Sequence, residues 1–304
     1  MEATKTAFIA IVGKPNVGKS SILNRMLGEK IAIVSSKPQT TRTRIMGVLT
    51  ENRAQLVFID TPGLHKPRNS LDRFMLRSIN ESVAGVDFCL LVVEAGREAS
   101  EEEKQLMEKF RSLGLPAVLA VNKTDTQQDK AAIARQIAAF AEMYAFEAVV
   151  PCSAQTGEGI EELKEELKKL SPEGEFMLDE DTLTDQPERV IAAEMVREKM
   201  LRLLDKEVPH GSAVFVERMK EREESDIIDI DATIYCERST HKGIIIGKGG
   251  AMLKKIGTYA RQDMERFFGC KINLQIWVKV KEDWRNKESA LRSLGYELDT
   301  DSDE

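Results

Sequence analysis

An apolar run at 7–12 delivers the chain into Gly13-Lys14-Pro15-Asn16-Val17-Gly18-Lys19-Ser20, and a helical pattern at 19–27 leads out of it. Strand, glycine-bounded loop and helix, in that order, leave few options for the local fold. The two glycines let the backbone N–H groups of the stretch from Gly13 through Ser21, all but Pro15, which has none, turn inward on a phosphate, and the helix N-terminus adds its positive dipole end. Lys19 is placed to reach β- and γ-phosphates, and the Ser20 hydroxyl to hold a magnesium ion. A match of this spacing arises by chance in roughly one chain per hundred of this length. Its meaning therefore depends on whether partner motifs stand downstream, and at what distance.

At 304 residues the chain is long enough for two domains, each with its own core. Its 42% hydrophobic and 31% charged residues are the proportions of a soluble globular protein. No apolar run approaches the ~20 residues of a membrane span. The opening MEATKTAF lacks the basic start and apolar stretch of a signal peptide, so a cytoplasmic location is expected. Cys89, Cys152, Cys236 and Cys270 are scattered, with no C-x-x-C pair and no nearby histidine. They read as free thiols, not as a metal site or disulfide frame.

The net charge of −7 argues against a nucleic-acid partner until its distribution is resolved along the chain. Residues 1–170 carry 23 Lys/Arg against 22 Asp/Glu, while 171–187 carry six acids and no base. Residues 188–296 carry 21 bases against 18 acids, and 297–304 add five acids. Within 238–271 there are eight bases and two acids. The acidity sits in a connecting stretch and a tail, and a basic patch survives between them.

Alternation of short β-like runs (7–12, 45–50, 55–59, 87–93, 115–121, 147–151) with helical patterns (19–27, 70–84, 100–113, 127–143, 159–170) predicts an α/β fold over 1–170. The expected form is a mostly parallel sheet flanked by helices. The runs 45–50 and 55–59 are too close for a crossover, so they predict an antiparallel hairpin. Residues 171–187, acidic, proline-bounded and aperiodic, read as a linker. An α+β domain is expected over 188–296: a helix at 188–207 with Ala193, Val196, Met200 and Leu203 on one face, then strands at 212–220 and 227–236. A glycine-rich turn after 243–246, a helix to about 268 and a strand at 272–280 complete it. The tail 297–304 is expected to be disordered.

Three further motifs sit at the ends of β-like runs. Asp60-Thr61-Pro62-Gly63 succeeds 56–59; the aspartate is placed to hold magnesium through a water, and the Gly63 N–H to meet the γ-phosphate. Asn122-Lys123-Thr124-Asp125 succeeds 115–121. The Asp125 carboxylate suits guanine's N1 and N2 hydrogens, which adenine does not offer; Asn122 braces the loop and the Lys123 stem lies along the base. Ser153-Ala154-Gln155 succeeds the last run, with the Ala154 N–H placed for guanine O6. Four such motifs in order specify a guanine-nucleotide site, GTP or GDP with magnesium. A phosphotransferase acting on a metabolite fits less well, since no substrate acid or lid motif is present. An RNA-binding protein with a merely scaffolding nucleotide domain is the remaining alternative, opposed by intact Lys19, Ser20 and Asp60.

This half resembles the Ras-like translation-factor class of GTPases. That resemblance implies a threonine from Pro38-Gln39-Thr40-Thr41-Arg42 closing over magnesium; Thr41 is the choice and Thr40 the alternative. Where Ras-like enzymes carry a water-positioning glutamine, this chain has Leu64, so unaided hydrolysis is expected to be slow. In related GTPases with a hydrophobic residue there, an asparagine at the Asn16 position resembles a potassium ligand, which implies potassium as an activator. Lys19, Thr41, Gly63 and Asn16 are thus the candidate catalytic residues.

In the second half, Gly247-Lys248-Gly249-Gly250 forms a G-x-x-G between two apolar-faced segments, with Lys254 and Lys255 just beyond it. Glycines admit an RNA backbone closely and lysines supply charge for its phosphates, as in the KH clamp on about four nucleotides of single strand. The order helix, strand, strand, helix, G-x-x-G, helix, strand resembles a type II KH domain. One GTPase domain with one KH domain after it resembles the Era-like family of bacterial GTPases across nearly the whole chain. Der-type proteins have two GTPase domains, MnmE-type proteins a large N-terminal domain, and Obg-type proteins a glycine-rich one. The resemblance implies a monomeric switch that binds the 3′ end of small-subunit rRNA in 30S subunit assembly, with a peripheral contact at the cell membrane.

Overall fold

The computed structural model describes residues 3–37, 39–63, 69–223 and 225–296. The expected tail at 297–304 lies outside the described residues. The chain divides into two compact units: one built from 3–32, 41–63 and 75–185, the other from Ile33–Thr40, 69–74 and 186–296.

In the first unit the elements run as β1 (Lys5–Val12), α1 (Lys19–Leu27), β2 (Ile45–Glu51), β3 (Ala54–Asp60), α2 (Ser70–Ala84), β4 (Phe88–Glu94), α3 (Glu101–Leu113), β5 (Ala117–Asn122), α4 (Lys130–Met143), β6 (Ala148–Pro151) and α5 (Ile160–Leu170). The sheet order is β2-β3-β1-β4-β5-β6. Every pairing is parallel except β2 with β3, the expected hairpin. Its turn residues, Asn52 and Arg53, both have positive φ, at 48° and 65°, which matches the turn twist to that of the strands. Ser100 caps α3 reciprocally with Glu103, and left-handed Gly18 and Gly28 bracket α1. The strand cores of β1, β4 and β5 are buried on both faces, as a helix-covered parallel sheet requires.

The stretch read as a linker is pinned to this unit as far as residue 185. Pro172 O accepts from Thr6 N–H at 3.2 Å, and Leu183 O from Val48 N–H at 2.9 Å. The Gln55 side chain accepts from the Met177 and Leu178 amides at 2.9 and 3.0 Å and donates to Leu178 O at 2.8 Å. The stretch contributes backbone atoms to every one of these bonds, so its own side-chain pattern carried no sign of them.

The second unit comprises α6 (Glu188–Leu203), β7 (Ser212–Glu221), β8 (Ile227–Cys236), α7 (Ser239–Ile246), α8 (Ala251–Phe268), β9 (Lys271–Val280) and α9 (Glu288–Ser293). β7 pairs antiparallel with β8, and β8 parallel with β9. Ile228, Ile230, Ala232 and Ile234 alternate inward from β8 onto Val196 and Met200 of α6 and Ile256, Ala260 and Met264 of α8. The helix expected over 188–207 stops at Leu203. α9 escaped sequence reading; it closes over Trp284, fully buried with its Nε1–H donated to Gly211 O at 3.0 Å. Cys89, Cys152 and Cys236 are buried free thiols and Cys270 is half-buried; burial pushes the Cys89 and Cys152 thiols up to about 12. Among the described residues no helix is long and apolar enough to cross a membrane.

Candidate nucleotide site and nucleic-acid groove

Parallel strands deliver their C-terminal ends to one edge of the sheet. β1 stands where the order turns, with β3 on one side and β4 on the other, and a ligand crevice forms at such a point. Val12, Asp60, Glu94, Asn122 and Pro151 end their strands there. Motifs far apart in sequence therefore meet around the 13–20 loop.

Lys19 is buried and donates to the carbonyls of Gly13 and Lys14, both at 3.1 Å. Burial pulls its ammonium down to about 8, against the pull of the Asp60 carboxylate. Ser20 Oγ donates to Asp60 Oδ2 at 2.6 Å and lies 2.9 Å from Thr41 Oγ1, itself 3.4 Å from Asp60 Oδ2. Burial raises the Asp60 carboxyl above its usual range, opposed by Lys19, the two hydroxyls and the Thr61 N–H. Asp60 Oδ1 is buried with no hydrogen-bond partner. A buried, unsatisfied carboxylate oxygen beside two hydroxyls is a donor set that suits a hard, partly hydrated cation such as magnesium. Thr40, by contrast, turns its hydroxyl to Lys37 O at 2.7 Å.

Thr61 Oγ1 donates to Ile11 O at 2.8 Å, tying the start of the 60–63 motif to β1. Pro62 is buried, and Gly63 lies so close to Pro15 that a Cβ would sit 2.7 Å from its backbone. Leu64 lies outside the described residues. Asn16 is exposed at the loop tip in the left-handed region, φ 65°.

At the base-reading end, Asn122 Nδ2 donates to Val17 O at 2.8 Å and its Oδ1 accepts from Ala154 N–H at 3.0 Å. One side chain thus joins the phosphate loop to the 153–155 loop. The Ala154 N–H expected on guanine O6 is already donating there, so a base contact from it would be shared. Asp125 Oδ1 accepts from Ser153 Oγ at 2.5 Å, which aims the carboxylate. Lys123 is left-handed, φ 67°, and pairs with Glu94 Oε2 at 3.0 Å. Gln155 is exposed. Glu94 was missed by sequence reading; an acid at the end of an apolar strand, as at Asp60, was the available signal.

In the second unit α7 ends at Gly247, and Lys248–Gly250 makes a 3₁₀ turn into α8. Lys248, Lys254 and Lys255 are exposed. Beside them a groove of about 400 Å³ runs between α8 and β9, lined by Gly250, Leu253, Lys254, Arg261, Leu274 and Ile276 among others. Gly257 also lines it and lets α8 approach β9: a Cβ there would meet Ile276 Cδ1 at 3.4 Å. An apolar floor with a glycine edge and a cationic rim suits unstacked bases and their phosphates. Arg261, Leu274 and Ile276 were not legible as site residues, because only the α8–β9 packing brings them to the turn.

A phosphate loop with a candidate magnesium seat and a candidate guanine reader on one sheet edge, and a G-x-x-G groove in a second unit, are the arrangement expected of a guanine-nucleotide-binding protein carrying an RNA-binding module. The family model described as "50S ribosome-binding GTPase" matches residues 8–123, and a KH domain model matches 207–285. GTPase Era of Caldanaerobacter subterraneus is 47% identical over 98% of this chain and 99% of its own. GTPase Era of Clostridioides difficile is 46% identical over 96% and 98%. Era crystallised with MgGDPNP and nucleotides 1506–1542 of 16S ribosomal RNA is 37% identical with a TM-score of 0.93, over 97% of this chain and 100% of that one. A single-substitution variant of Aquifex aeolicus Era bound to GDP.AlF4- gives the same identity, coverage and score. The chain belongs to the GTPase Era family, whose members pair a GTP-hydrolysing domain with a KH domain.

Proposed function

We propose that this chain is a slowly hydrolysing, GTP-gated switch that binds the 3′ end of small-subunit rRNA and acts in assembly of the 30S subunit. The meeting of Thr41 with Ser20 and Asp60 carries the reading. A loop threonine arriving beside the magnesium seat is what a γ-phosphate-dependent order change needs. The phosphates are held by 13–21 and Gly63, the ion by Ser20, Thr41 and Asp60, and the base by Asn122, Lys123, Asp125 and 153–155. Magnesium, when bound, neutralises charge on the β- and γ-phosphates. Lys19 reaches the same phosphates and Leu64 leaves water unoriented, hence slow turnover.

Residues 188–296 form the RNA half, with Gly247, Lys248, Gly249, Gly250, Lys254 and Lys255 on the strand. A relative co-crystallised with 16S rRNA supports the small subunit as the target. The family model that names the large subunit covers only 8–123, none of the KH unit. The test is the affinity for an oligonucleotide of the 16S 3′ end with a GTP analogue, with GDP and with neither. Equal affinities in all three states would end the gating reading.

Asn16 at the loop tip supports potassium as the activator. GTP turnover is expected to be faster in potassium than in sodium buffer of equal ionic strength, and equal rates remove that role. Sedimentation and membrane fractionation of cell extracts check the proposed monomer, cytoplasmic location and peripheral membrane contact.

A further inference from the structure

The segment Ile33–Thr40, which leads into Thr41, belongs to the same compact unit as α6. Helix α6 holds it with charged side chains that are themselves buried. Arg197 is 1% exposed. It forks onto both carboxylate oxygens of Glu194, at 2.7 and 2.6 Å, and donates to Gln39 O at 3.2 Å and to Thr40 O. Glu198, fully buried, accepts from Val34 N–H at 3.0 Å and from Arg202 at 2.9 Å, and Arg202 returns to Val34 O at 3.0 Å. Lys199 then links Glu198 Oε2, at 2.7 Å, to Asp263 of α8. Asp263 lies on the helix whose Lys254, Gly257 and Arg261 line the nucleic-acid groove.

Buried charges on a helix face add little stability over apolar residues of the same size. Their geometry here does something apolar residues would not do: it fixes backbone carbonyls. The Thr40 carbonyl shares a peptide plane with the Thr41 amide. Holding that carbonyl, whose carbon is three bonds from the side chain that lies at Ser20 and Asp60, therefore sets the direction in which the chain enters Thr41.

We propose that Arg197 is a positioning residue for Thr41, and that α6 transmits the state of Thr41 to the groove helix α8 through Arg197, Glu198 and Lys199. This rests on Thr41 as the γ-phosphate-dependent residue. The γ-phosphate and the RNA are then two ligands biasing one hydrogen-bonded element, and each changes the affinity of the other by the same factor.

The test uses the full chain and two variants. Arg197→Met combined with Glu194→Gln removes the fork without leaving a carboxylate unpaired. Arg197→Lys keeps the charge but presents a single point donor in place of the fork. Affinities are measured for GDP, for a GTP analogue with magnesium, and for a 16S 3′-end oligonucleotide in each nucleotide state. The wild type is expected to show a GTP-over-GDP ratio in RNA affinity within the usual roughly 5–150-fold range of coupled sites. The double variant is expected to bring that ratio near one and weaken the GTP analogue while leaving GDP unchanged; the lysine variant falls between. A wild-type ratio of one overturns the switch reading itself. A wild-type ratio retained in the double variant overturns the assignment of Arg197 alone. Should the double variant show no cooperative melt, the lysine variant decides on the same ratio.

Discussion

A Cβ at Gly18 would lie 2.1 Å from the Asn122 amide nitrogen, so the phosphate loop and the base-reading loop are fitted to each other at that residue. Such contacts give single side chains distinct roles that can be tested apart. Asp125, aimed by Ser153, accepts two hydrogens from guanine in the proposed pose. Two charge-assisted bonds at about 1.5–3 kcal/mol each make Asp125→Asn cost on the order of 10²–10⁴-fold in GTP affinity. The same variant gains affinity for xanthosine triphosphate, and competition binding that shows no such gain would remove Asp125 from the base. The two threonines also part company. Thr41→Ala is expected to lower magnesium-dependent GTP-analogue affinity by roughly 10–100-fold, the value of one charge-assisted contact, with GDP little changed. Thr40→Ala removes only a turn bond to Lys37 O and shifts it far less. A larger effect at Thr40, read by isothermal titration, would reverse the assignment. Sequence preferred Thr41 and kept Thr40 as the alternative, because what separates them is which way a hydroxyl points.

Elements bounded by their own residues were legible almost to the residue. α1 and α2 occupy 19–27 and 70–84 as the pattern predicts, and loop length alone implies the β2–β3 hairpin. Elements stabilised from elsewhere were not: α9 depends on the burial of Trp284 and Tyr296, whose rings stack at 5.9 Å, and the 171–185 strap depends on backbone bonds. The G-x-x-G turn shows the same division. All four positions read as one motif, yet Gly247 (φ 72°, ψ 176°) would place a Cβ 2.8 Å from Met252 Cβ, while Gly249 (φ 57°, ψ 23°) faces open space. Gly249→Asp is therefore the cleaner probe. The left-handed conformation costs about 1 kcal/mol, and the new carboxylate repels RNA phosphates. RNA affinity is expected to fall at least roughly tenfold, the effect of one lost charge-assisted contact, with GTP affinity and the melting temperature nearly kept. Gly247→Asp should lose melting temperature as well, because α8 must shift at its first turn. Equal RNA affinity for Gly249→Asp and wild type would place the strand elsewhere.

At the scale of the molecule, a net charge of −7 hides a basic patch over 238–271, and that patch governs how RNA binding answers to salt. A clamp on about four nucleotides of single strand releases counterions in proportion to its phosphate contacts. The logarithm of RNA affinity should then fall against the logarithm of salt with a slope of about −2 to −3. A flat response in filter binding between low and physiological salt would exclude a phosphate clamp. The sequence by itself determined the candidate chemistry: a phosphate loop, an aspartate proposed for magnesium, a proposed guanine reader and a proposed glycine clamp are written in short contiguous stretches, since each depends on backbone freedom and one or two side chains. The tertiary structure alone decided what those stretches meet. Parallel strands bring Asp60, Asn122 and Ser153 to one edge, α8 and β9 give the glycine turn its floor, and Arg197 reaches back more than 150 residues to the carbonyl before Thr41. Contacts across such separations leave no local pattern, because a buried ion pair on a helix has the same spacing as a solvated one until something packs over it.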